Sequence, residues 1–125
     1  MSWSDRTFKL IFACCFAIGS ANHAGDILHG GLLPYHAVPT PINAFWTLLC
    51  PVDAVLSILV WRHAREAVAI GIGVLLADVG VNSWIAYFSG LHLQSFEPLQ
   101  VQTLVLGFVL GGGLFSLRRH EDAPR

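Results

Sequence analysis

Four long stretches of this chain are dominated by apolar residues, and polar residues gather in the short segments between them. A bilayer core about 30 Å thick calls for around 20 mostly apolar residues in a helix. Four windows meet that length: Phe8–His29, Ile42–Trp61, Ala67–Phe88 and Leu99–Leu117. Pro34, Pro39 and Pro41 separate the first two windows, and Pro98 stands at the head of the fourth. Prolines at such places end one helix or open the next. The pattern predicts an all-α fold, a polytopic membrane four-helix bundle forming one transmembrane domain over residues 1–125.

Within the windows, the polar residues recur at helical spacing. At roughly 100° per residue, Asn22, Asp26 and His29 share one side of the first helix with Cys15, and His23 lies a little beyond. Trp46, Cys50, Asp53 and Ser57 share a sector of the second. Gly71, Asp78, Asn82 and Ser89 line the third, and Gln100, Thr103, Gly107 and Gly111 line the fourth. Each helix therefore has one polar or small face, as expected of helices packed around a polar interior. With about 1.5 Å of rise per residue, Asp53 and Asp78 fall near the middle of their windows. Asn22 and Asn82 lie in one half, and Asp26, His29, His36 and Asn43 lie near its surface. The expected site is a pocket open at that end, with two carboxyls at its floor.

Charge sets the direction. The seven Lys and Arg residues are Arg6, Lys9, Arg62, Arg65, Arg118, Arg119 and Arg125. In a four-span arrangement all of them fall on one side, which the positive-inside bias assigns to the cytoplasm. The expectation is both termini inside, in a cell (inner) membrane, with the pocket opening to the opposite side. Trp3, Trp46, Trp61, Tyr35 and Tyr87 fall near the expected interfaces, where aromatic anchors collect. The start, with Arg6 and Lys9 before LIFACCFAI and Gly19-Ser20-Ala21, also resembles a signal peptide. Polar residues after it match the other windows in depth, which predicts a retained helix.

Composition agrees: 54% of residues are hydrophobic and 12% charged, against about 25% charged in ordinary soluble domains. A net charge of −1 supplies no basic field for nucleic acid. Cys14, Cys15 and Cys50 lie in apolar runs and read as small hydrophobes, not as a disulfide framework.

Ionisable residues in a membrane are costly and tend to face a cavity or a partner. Asp53, Asp78, Asp26 and His29 are thus the candidate catalytic or proton-carrying groups. Asn22, His23, Asn82, Trp46 and Ser57 are the candidate ligand-binding groups. Asn and Ser also hydrogen-bond helices together, and that plainer role suits Asn82 and Ser57 equally well. A charged Asp at mid-membrane costs about 2.5–3.5 kcal/mol on insertion scales, which structural glue explains poorly. His23-x-x-Asp26-x-x-His29 fans its histidines too widely for the paired spacing of a zinc helix, so no metal and no cofactor is expected.

Three functions remain in view. One is binding or transport of a small cationic or protonatable ligand. The second is a membrane-embedded acid–base enzyme on a lipid-like substrate. The third is a non-catalytic subunit of a larger membrane assembly. Membrane lipid and a small-molecule ligand are the expected partners. Gly107-x-x-x-Gly111 adds either close packing inside the bundle or a homo-oligomer contact.

Overall fold

In the computed structural model the chain is all-helical. Its four helices are α1 (Trp3–Gly30), α2 (Thr40–Arg62), α3 (Ala64–Tyr87) and α4 (Glu97–Glu121). The structure describes residues 3–89 and 97–121, with side chains at 5–89 and 99–113. Arg125 and the side chains of Trp3, Pro98, Arg118 and Arg119, all used in the sequence argument, lie outside the described residues. Helices α1, α2 and α3 are long and apolar enough to cross a membrane, and α4 carries a shorter apolar stretch, Leu99–Gly113. That composition is consistent with an integral membrane protein.

Local chemistry sets the helix ends. Gly31 adopts a φ of 84°, and its N–H donates back to the Ile27 carbonyl at 2.9 Å. Only glycine reaches that conformation without strain, so α1 stops there. Proline at 39 and 41 frames the first turn of α2, where a missing N–H costs nothing. Pro51 lies inside α2 and removes the helical bond to the Thr47 carbonyl, two residues before Asp53. One residue, His63, joins α2 to α3. Its extended φ of −132° breaks the helix, while its N–H still caps the Leu59 carbonyl at 2.8 Å.

All four helices contribute to one apolar core. On α1, Phe8, Phe12 and Phe16 recur every fourth residue and so share a face. The rings of Phe12 and Phe16 lie 4.5 Å apart, and Phe8 stacks on Phe108 of α4 at 5.6 Å. Glycines make the room. A Cβ on Gly71 would sit 2.9 Å from Phe12, and one on Gly112 would sit 2.6 Å from Phe8. Leu56, Val60, Val68 and Val109 complete the cluster. Between helices in lipid such packing acts by van der Waals contact, since the surrounding tails are equally apolar. Emptying the Phe12 position by substitution with Ala should cost about 3–5 kcal/mol.

Helix α4 corrects one detail of the sequence reading. Leu106, Val109 and Gly113 face the core, and Gly113 touches Val68. Gln100, Thr103, Gly107 and Gly111 are exposed, and open space surrounds the Cβ positions of both glycines. Bulky apolar side chains, together with the glycines that admit Phe8 and Val68, select the buried face. Polarity and small size alone do not.

Candidate functional site

A cavity of about 670 Å³ lies beside the aromatic core, within the usual range for small-molecule sites of about 300–1,000 Å³. From α1 it is lined by Asn22, His23 and Asp26, from α2 by Trp46 and Asp53, and from α3 by Asp78 and Asn82. Two predicted residues lie elsewhere. His29 is exposed and its Nδ1 donates to the Gly25 carbonyl of its own helix at 2.7 Å. The Ser57 hydroxyl donates to the Ala54 carbonyl at 2.8 Å. Both side chains thus satisfy local backbone and do not line the cavity.

The two midhelix acids differ in their surroundings. Asp53 is 7% exposed, and its Oδ2 is pressed against Gly19 of α1, where a Cβ would lie only 2.6 Å away. Nearby, the Ser20 hydroxyl donates to the Cys50 carbonyl at 2.8 Å, fastening α1 to α2 beside Asp53. Among the described residues the Asp53 carboxyl takes part in no hydrogen bond. Asp78 is 6% exposed and is held: the Asn82 amide donates to its Oδ1 at 2.9 Å and to Gln102 Oε1 of α4 at 2.8 Å. One amide therefore joins Asp78 to α4. Asp53 and Asp78 are close enough to interact electrostatically.

Trp46 brings an indole N–H to Asp78. The residue is 8% exposed. Its indole N–H senses the Asp78 carboxyl, yet no acceptor among the described residues stands in hydrogen-bonding geometry with Nε1.

The segment between α1 and α2 contributes Tyr35 to the cavity wall beside Trp46. Tyr35 rests edge-on against Trp46 with centroids 5.1 Å apart. Its hydroxyl donates to Asp26 Oδ2 at 2.7 Å and lies 2.8 Å from His23 Nδ1. The single phenolic proton goes to Asp26, so the His23 contact requires Nδ1 to carry the donated proton. Burial, followed by the bond to Asp26, holds the Tyr35 hydroxyl above its ordinary value of 10.0. Asn43 straps this segment to α2, accepting from the Tyr35 N–H at 3.2 Å and donating to the Leu33 carbonyl at 3.1 Å.

Sequence reasoning missed Tyr35 and Gln102 as cavity residues. Tyr35 looked like an interfacial anchor, and no spacing rule links a loop residue to a helix face. Gln102 did carry a signal: it shares the stripe of Val105, Leu106 and Val109, so it is a polar residue on an apolar face.

Among the described residues no three His, Cys, Asp or Glu side chains gather as a metal site. No family model matches the chain, and no curated protein or solved structure matches it.

Proposed function

We propose that this chain is a four-span integral membrane protein whose cavity binds, or carries, a small cationic or protonatable molecule. The observation that carries the reading is Asp53, a carboxyl buried against Gly19, facing a cavity and lacking a hydrogen bond among the described residues. A carboxylate so placed is costly unless a partner compensates it, and a cation in the cavity is such a partner. Asp78 supplies a second acceptor a short distance away. The Phe8, Phe12 and Phe16 cluster fills the space on one side of the cavity, which favours a binding pocket or an alternating carrier over a standing pore.

All seven basic residues then lie on the cytoplasmic side, with both termini inside a cell (inner) membrane. A single cysteine at His36 should accept an impermeant thiol reagent from outside intact cells, in a background lacking the native cysteines, and one at Ala64 should not. Labelling of position 64 from outside contradicts this topology. A homo-oligomer through the outward Gly107 and Gly111 belongs to the same proposal, with membrane lipid as the other partner.

One observation favours the enzymatic alternative, acid–base chemistry on a lipid-like substrate. Asp26, Tyr35 and His23 form a continuous hydrogen-bonded chain on the cavity wall, an arrangement able to move a proton. The binding reading takes precedence because it accounts for Asp53.

The test uses Trp46 as reporter after replacing Trp3, Trp61 and Trp84 by Phe. Butylammonium added to bilayer-reconstituted protein should change Trp46 fluorescence saturably, and Asp53→Asn should abolish the response. An equal response in Asp53→Asn contradicts the reading.

A further inference from the structure

Helices α1 and α4 touch at one end only. Phe8 stacks on Phe108 at 5.6 Å and presses on Gly112, and the two helices make little other contact. Further along, both flank the cavity without closing it. Ile18 and Asn22, one turn apart on α1, line the cavity and are exposed; Val101 on α4 is likewise a lining residue and exposed. Ile18 is 62% and Val101 59% exposed, so nothing among the described residues covers this side. In a membrane that side meets acyl chains. The opposite wall, α2 with α3, is packed, and at the end Tyr35 rests on Trp46 beside Asp26, which is exposed and polar. The apolar route to Asp53 is therefore sideways, between Ile18 and Val101.

We infer that the pocket is entered from within the bilayer, through the gap between α1 and α4, and that its ligand is an amphiphile. Its ammonium head sits at Asp53, and its apolar tail lies along Val105 and Val101 out to the lipid. This rests on the cation-binding reading and adds to it the substrate class and the route. The wall chemistry fits such a molecule. The depths hold two carboxyls and the Trp46 indole, whereas the portal is apolar except for Asn22, which gives a polar head a foothold while crossing. A head without a tail would leave Ile18, Val101 and Val105 with no function that lipid alone does not serve. A neutral lipid would leave Asp53 without a counter-charge.

The experiment uses dodecylamine carrying a diazirine at its terminal carbon, photolysed with the protein in phosphatidylcholine nanodiscs, and labelled residues mapped by mass spectrometry. Butylamine serves as the head-only competitor, and Asp53→Asn and Val101→Trp as variants. Val101 is exposed, so the bulky residue narrows the gap without entering the core. The expected result is labelling at Ile18, Val101 or Val105 that butylamine suppresses and that is lost in both variants. Labelling of the same residues that ignores butylamine and Asp53→Asn is ordinary lipid contact and overturns the inference. Labelling confined to His23, Asp26 and Tyr35 means entry from the aqueous end and overturns it too. A dimer by native mass spectrometry, with Ile18 and Val101 protected, means a second copy fills the gap and overturns it as well. In each of these cases butylamine protection of Asp53 from a hydrophobic carbodiimide, measured separately, leaves the cation-binding reading standing. Absence of that protection removes both.

Discussion

Gly19 and Asp53 meet so closely that a Cβ on the glycine would lie 2.6 Å from the carboxylate Oδ2. The backbone of α1 is thus the surface that seats the buried acid of α2. Gly19→Ala must push the carboxyl aside, and overpacking of this kind costs about 1–3 kcal/mol. The expected result is a lower melting temperature in detergent and weaker butylammonium binding. Gly25→Ala on the same helix, with open space around its Cβ, should leave both unchanged.

The two acids should respond in opposite ways to removal. Asp53 lacks a hydrogen-bond partner among the described residues, so Asp53→Asn relieves a buried charge and should melt at or above the wild-type temperature. Asp78 accepts from Asn82, which also holds Gln102. Asp78→Leu leaves an amide hydrogen unpaired and should destabilise by about 1 kcal/mol. Thermal unfolding of both variants in one detergent decides it, and equal shifts in the same direction contradict the assignment.

The fold was readable where physics is local or periodic. Four helices followed from apolar length, and the break between α1 and α2 from Pro34, Pro39 and Pro41, because backbone chemistry at single residues sets it; the stop at Gly31 shows only in its positive φ. Asp53 and Asp78 stood out because an acid within an apolar run is costly unless it faces a cavity or a partner. The inward face of α4 was not readable. It depends on Phe8 finding Gly112 and Val68 finding Gly113, contacts between residues far apart in sequence. Tyr35 escaped for the same reason, as did the loss of His29 and Ser57 to their own backbone carbonyls.

Tyr35 makes stability depend on alkaline pH. Its folded-state value lies above the ordinary 10.0, so the native state holds the phenolic proton more tightly than the unfolded chain. The contribution is fully present below pH 10 and shrinks above it, as the unfolded chain ionises first. Tyr35→Phe lacks this contribution. The wild-type advantage over the variant in chemical unfolding should therefore be constant from pH 7 to 9.5 (roughly) and fall beyond about pH 10. An advantage that grows with alkalinity contradicts the hydrogen-bond assignment.

On α4, neighbouring glycines should differ sharply. Gly112→Val collides with Phe8 and should disrupt the α1–α4 end. Gly107→Leu and Gly111→Leu enter open space, so the monomer should fold normally. If copies associate through that outward face, both Leu variants should shift a dimer to monomer in native mass spectrometry. An unchanged dimer excludes that face as the contact.

The central claim is that Asp53 faces a cation site. Its most direct measurement is the rate at which a hydrophobic carbodiimide modifies Asp53 in bilayer-reconstituted protein, as butylammonium is increased. Exposed Glu66 serves as internal reference in the same digest. The account predicts saturable slowing at Asp53 with Glu66 unaffected. Modification of Asp53 that proceeds at one rate across the whole titration, in folded protein, contradicts it.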